Sequence, residues 1–77
     1  MARTRKNELL ERDDHVVAAA AAGIPYVPTG TRGRIKLVNG FAWKRYWVRF
    51  DNGVDVGSLD RTQLTLVDSS GEPVEIA

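Results

Sequence analysis

WKRYWVRFDNGVDV, residues 43–56, decides the fold. Successive side chains of an extended chain point to opposite faces, so Tyr46, Val48 and Phe50 share one face while Trp43, Arg45, Trp47 and Arg49 share the other. Asp51-Asn52-Gly53 then turns the chain, and Val54 and Val56 resume the apolar side with Asp55 opposite. Matching apolar with apolar selects the register. A two-residue loop sets Asp51 against Val54. A three-residue loop with Gly53 left-handed pairs Phe50 with Val54 and Val48 with Val56, and it brings Arg49 opposite Asp55, a favourable ion pair. The three-residue loop is expected.

The same alternation extends on both sides. In TRGRIKLV (31–38), Arg32, Arg34 and Lys36 face one way and Gly33, Ile35 and Leu37 the other. NGF (39–41) signals a turn between this strand and the next. SLDRTQLTLVD (58–68) supplies a short turn and a last strand with Leu64 and Leu66 inward. The stretch DDHVVAAAAAGIPYVP (13–28) has two readings. Its alanines, with Gly23 and Pro25 as a stop, suit a helix. HVVAA suits a strand, and the downstream strands need one, because an open sheet this small exposes its edges and one apolar face. Closure by a strand near His15–Ala19 outweighs the helix preference of alanine. Upstream, Asn7 is placed to cap a short helix, ELLER (8–12), which has to dock on the rest.

At this point the chain resembles the SH3-like small barrels of bacteria, of KOW and Tudor type. The segments that carry the likeness are DDHVV, VPTGTRGRI, YWVRFDNG and LDRTQLTLV, spanning about residues 13–67. The barrels of the nitrile hydratase β-subunit and of electron-transport accessory proteins are similar in the order of these segments. The resemblance implies a mainly β fold, a five-stranded SH3-like barrel with a short N-terminal helix or arm. Its divisions are an arm at 1–12, the barrel at 13–68 and a flexible acidic tail at 69–77. It implies a binding role and no reaction, since such barrels serve many ends. The sequence departs from RNA-binding KOW barrels, whose first strand is followed by a glycine-rich basic loop, where this chain has alanines and GIPYVP. The cysteine-rich metal motif of the partner subunit in nitrile hydratase is absent here.

Composition narrows the function classes. Seventy-seven residues form one small domain with a thin core, and without cysteine there is neither a disulfide framework nor a thiolate for zinc. No apolar run reaches the roughly 20 residues of a membrane span, and the start, MARTRKNELLERDDH, does not have the pattern of a secretory signal. A soluble cytoplasmic protein is expected. The net charge of +1 conceals an uneven layout. Arg32, Arg34, Lys36, Lys44, Arg45 and Arg49 fall between Thr29 and Phe50 with no acidic residue among them. From Asp51 onward there are six acidic residues and one basic, Arg61.

Catalysis is not expected. His15, the only histidine, has no second histidine to converge with on a metal or to act as base for Ser58 or Asp60. GTRG (30–33) lacks the Lys-Ser/Thr and the helix start of a phosphate loop. No cofactor and no metal is expected. The candidate site is the outward side of the two central strands: Arg32, Arg34, Lys36, Arg45, Trp47 and Arg49, with Trp43 near the turn. Tryptophan and arginine are the favoured anchors of protein interfaces, so the first expectation is a small accessory or adaptor, docking on a larger protein complex. The alternative is RNA or single-stranded DNA, whose phosphates suit the cations and whose bases stack on indole rings. A plainer account seats one tryptophan under Leu9 and Leu10, or covers an indole with arginine. The loop AAGIPYVPTG (21–30) offers Tyr26 as a possible partner of Trp43 in a groove, or Ile24, Tyr26 and Val27 as a plug for the barrel end.

Overall fold

The structure is a computed structural model and describes residues 4–5, 10–19 and 23–76. Alternation in the sequence becomes alternation in burial. In strand β4 (Arg45–Phe50) Tyr46, Val48 and Phe50 are buried while Arg45, Trp47 and Arg49 are exposed. The other long strands are β2 (His15–Ala18), β3 (Arg32–Asn39), β5 (Asp55–Leu59) and β6 (Leu64–Val67), with a 3₁₀ turn at Arg61–Gln63 leading into β6. They form one antiparallel sheet in the order β5-β4-β3-β2-β6. A second, two-stranded parallel pair joins β1 (Thr4–Arg5) to β7 (Glu75–Ile76).

The register expected at Asp51-Asn52-Gly53 is the one found. Val48 lies opposite Val56 and Arg49 opposite Asp55. The Phe50 amide donates to the Val54 carbonyl at 2.9 Å, and Gly53 takes a φ of 88°, a conformation that glycine adopts without steric cost. Asn52 fixes the turn twice: its Oδ1 accepts the Val54 amide at 3.2 Å, and its Nδ2 donates to the Tyr26 carbonyl at 3.0 Å.

His15–Ala18 is a strand, as the sheet required, despite the helix preference of the alanines that follow. Local propensity is worth a few tenths of a kcal/mol per residue, whereas β2 pairs on both sides and buries Val16 and Ala18. Ala20–Ala22 lie outside the described residues. Inward side chains from all five strands meet in one cluster: Val16, Ile35, Val48, Phe50, Leu59 and Leu66 are among its members. Leu10, Ile24 and Val27 cap it from the flanking loops. The edge strands β5 and β6 feed the same cluster.

Two expectations are corrected. First, Leu37 does not face the core. A bulge between Ile35 and Leu37 inserts Lys36 as an extra residue, so Leu37 turns outward to stand opposite Trp47 while Val38 packs inward opposite Tyr46. Second, the expected short N-terminal helix is not present in its described part. Leu10 is buried, the Glu11 amide donates to the Asp14 carboxylate at 2.7 Å, and Asp13 takes a φ of 72°, so residues 11–14 form a turn. Residues 8 and 9 of that helix lie outside the described residues. The five strands form a mainly β fold in one ladder with β5 and β6 at its edges, and among the described residues no strand pairing joins those two edges.

Beyond Asp68 the chain doubles back along β6. Pro73 bridges to Val67, and the Val74 amide donates to the Leu66 carbonyl at 3.1 Å. Asp68 organises this turn, its Oδ1 accepting the Ser70 amide and hydroxyl and the Glu72 amide.

Candidate functional site

The outward faces of β3, β4 and β5 meet in cross-strand pairs. Arg34 stands opposite Arg49, Leu37 opposite Trp47, and Asn39 opposite Arg45. All seven residues expected at a binding face (Arg32, Arg34, Lys36, Trp43, Arg45, Trp47 and Arg49) are exposed. They do not form one uniform basic patch. Arg32 points away along the sheet, its Nη2 donating to the Ser69 carbonyl at 3.3 Å. Trp43 sits before β4, in the turn that also displays Phe41.

At the centre the face is apolar. Trp47 is 46% exposed and Leu37 44%, and the indole of Trp47 covers Gly57 on β5. A second bulge makes this seat: the β4–β5 register shifts between Tyr46 and Val48, so Trp47 faces Gly57 and Ser58 together, and Ser58 takes a φ of 59°. Trp43, 68% exposed, is held at the end of the face. Its Nε1 donates to Asp60 Oδ1 at 3.1 Å, and Arg45 bonds the same oxygen while its guanidinium lies 5.8 Å from the indole centroid.

Two of the five cations on the face are paired with carboxylates. Arg45 is paired with Asp60, and Arg49 meets Asp55 through two hydrogen bonds of 3.0 and 3.3 Å. Those hydrogen bonds, and the positive charge of Arg49 with that of Lys36, hold the Asp55 carboxyl below the ordinary carboxylate value; the same hydrogen bonds, then the charge of Asp55, raise Arg49. Arg34, by contrast, has no carboxylate partner among the described residues and stands directly across from Arg49, a like-charge pairing that costs stability.

Neither tryptophan serves as a seat for Leu10, which belongs to the core cluster. Arginine does cover an indole at Trp43. Ile24 and Val27 plug the core while Tyr26 is exposed, and Tyr26 does not share a groove with Trp43. Its carbonyl is tied to Asn52 just beyond the C-terminal end of β4, whereas Trp43 precedes the N-terminal end.

Among the described residues, two pockets border the face. One, of about 360 Å³, is polar and lies between His15, Arg32, Arg34, Asp51 and Ser69. The other, of about 290 Å³, is mainly apolar and lies between Ala42, Trp43, Tyr46, Asp60 and Thr62. Among the described residues no three of His, Cys, Asp and Glu converge, and no helix is long and apolar enough to cross a membrane. Three contributors escape a reading of the sequence. Leu37 is displaced by the bulge, Phe41 stands on the turn without a strand to give it a face, and Asp60 is seventeen residues from the indole it holds. No family model, curated protein or solved structure matches this chain.

Proposed function

We propose that the chain is a non-enzymatic interaction module, a small accessory or adaptor that docks on a larger protein through the outward face of β3, β4 and β5. The exposed Leu37–Trp47 pair carries this proposal. Trp47 is ordered against Gly57 and still offers nearly half its surface. Around it, Arg45–Asp60 and Arg49–Asp55 form a rim of paired charges. An apolar centre inside a polar, hydrogen-bonded rim is the anatomy of a protein interface. Trp47 is the proposed anchor, with Arg34, Arg45 and Arg49 as flanking contacts.

The order β5-β4-β3-β2-β6, with a 3₁₀ turn before the last strand and both edges contributing to one core, supports an SH3-like barrel as the fold behind this role. Nucleic acid is the alternative occupant. Phosphate contacts need uncompensated cations; two of the arginines on the face already hold carboxylates, which leaves Arg34 and Lys36 at its centre for such contacts. Affinity purification with the full chain, beside Trp47→Ala and Arg34→Ala, tests the proposal. A protein held by the parent and lost with Trp47→Ala is expected. A parallel titration with labelled single-stranded and duplex oligonucleotides at low and moderate salt is expected to show no binding. Oligonucleotide binding that weakens steeply with salt, with no protein lost on Trp47→Ala, overturns it in favour of nucleic acid.

A further inference from the structure

The polar pocket of about 360 Å³ is lined by His15, Arg32, Arg34, Asp51 and Ser69, and its charges are placed at a cost that the fold does not require. Arg34 has Arg49 directly opposite on β4 and His15 directly opposite on β2. Like charges opposite one another destabilise a sheet, and Asp55 pairs with Arg49 alone. Arg34 itself makes no hydrogen bond or ion pair among the described residues. Two positions back on β3, Arg32 donates to a neutral acceptor, the Ser69 carbonyl, and so keeps its charge. Its guanidinium lies close over Gly71, where a β-carbon would stand 3.0 Å from it. Asp51 lines the β4 side. Its amide donates to the Arg32 carbonyl at 2.8 Å, yet its carboxylate pairs with neither arginine. Two guanidinium groups and an imidazole thus share the pocket with a single carboxylate.

We infer that this pocket receives an acidic side chain from a peptide segment of the docking partner, its carboxylate held by Arg34 and His15 with Arg32 beside them. The inference rests on the proposed docking role and adds the charge of the partner. Guanidinium bonds a carboxylate in a two-pronged geometry, and a negative guest at Arg34 relieves the repulsion from Arg49. His15 offers a ring N–H in either protonation state. Arg32 is positioned by Ser69 and Gly71 before any guest arrives, so little freedom is lost on binding. Asp51 sets the class of guest. Its carboxylate accepts hydrogen bonds and repels a second negative group. A peptide brings its carboxylate among backbone amides, which are donors for Asp51. A phosphodiester chain brings a negative charge at every link. The pocket therefore favours an acidic peptide over nucleic acid.

The test needs no partner protein and leaves Trp47 intact, so its failure is separable from failure of the docking proposal. The full chain, labelled with ¹⁵N, is titrated at neutral pH with acetyl-Gly-Glu-Gly-amide, acetyl-Gly-Gln-Gly-amide and a thymidine oligonucleotide. The His15, Gly33 and Ser69 amide signals are followed. The glutamate peptide is expected to shift all three, less so with added salt, and the glutamine peptide and the oligonucleotide none. Arg34→Ala is expected to weaken the glutamate peptide by about fivefold, the loss of one exposed ion pair. Its unfolding stability is expected to equal or exceed that of the parent, because the repulsion from Arg49 is gone. Lys44→Ala removes a positive charge outside the pocket and is expected to leave the affinity within about twofold. Equal shifts with the glutamine peptide, no shift with either peptide, or unchanged affinity in Arg34→Ala overturns the inference. So does a loss in Lys44→Ala as large as in Arg34→Ala, or an oligonucleotide that shifts the signals more than the peptide does. A lowered stability of Arg34→Ala overturns it too, because Arg34 then serves the fold.

Discussion

Trp47 lies across Gly57: a β-carbon built on Gly57 would stand 3.6 Å from Cε3 and 3.7 Å from Cδ2 of the indole. The ring therefore rests on bare backbone of the edge strand and turns its other side to solvent. That distance is ordinary van der Waals contact, and Gly57 does not require a left-handed φ. Gly57→Ala is thus expected to be accepted and to raise stability by about 0.5–1 kcal/mol, through a less flexible unfolded chain and an added contact with Trp47. Urea unfolding measures it. A loss of more than about 1 kcal/mol would show that the indole is pressed tighter on the strand than described.

Gly33 is the opposite case. A β-carbon there would come 2.7 Å from Val48 Cγ1 and 2.9 Å from Phe50 Cδ1, inside the core. Gly33→Ala is expected to cost about 1–3 kcal/mol, as overpacking does. The contrast between the two glycines, measured under the same conditions, tests which face of the sheet is filled and which is open.

The sequence showed the strands, the turn at 51–53 and the register across it, because alternation and charge pairing are local and Asn-Gly turns are specific. The exposure of the seven face residues was also legible. Leu37 was not, since a bulge is a property of two strands together and nothing in TRGRIKLV marks Lys36 as the extra residue. The tie from Asp60 to Trp43 and Arg45 was equally hidden, because it depends on β5 and the 3₁₀ turn bringing residue 60 back beside the start of β4. The strand at His15–Ala18 was reached through the needs of the sheet and against local propensity.

Arg49 and Asp55 give a pH-dependent prediction. The folded chain holds the Asp55 carboxyl below its ordinary value of 3.8. A depressed carboxylate contributes stability above its unfolded pKa, and that contribution is lost as pH falls through the lower, folded pKa. The parent is expected to be more stable than Asp55→Asn at neutral pH, with the gap narrowing on acidification through and below the carboxylate range and with added salt. A gap that stays constant with pH contradicts the pairing.

Core and face also separate in stability. Phe50 is buried and Trp47 is half exposed. Phe50→Ala is expected to cost about 3–5 kcal/mol, and Trp47→Ala no more than about 1 kcal/mol. Equal losses, read from chemical unfolding, would make Trp47 a structural residue and remove it as an anchor.

The docking face is tested most directly by a photo-crosslinking residue placed at Leu37 and, as a control, at Tyr26, which is also exposed but lies past the far end of β4. In cells that express the full chain, the probe at 37 is predicted to give a discrete protein adduct that disappears when Trp47→Ala is added. The probe at 26 is predicted to give none. Adducts of equal yield from both positions, an adduct at 37 that survives Trp47→Ala, or crosslinking to nucleic acid alone would contradict the account.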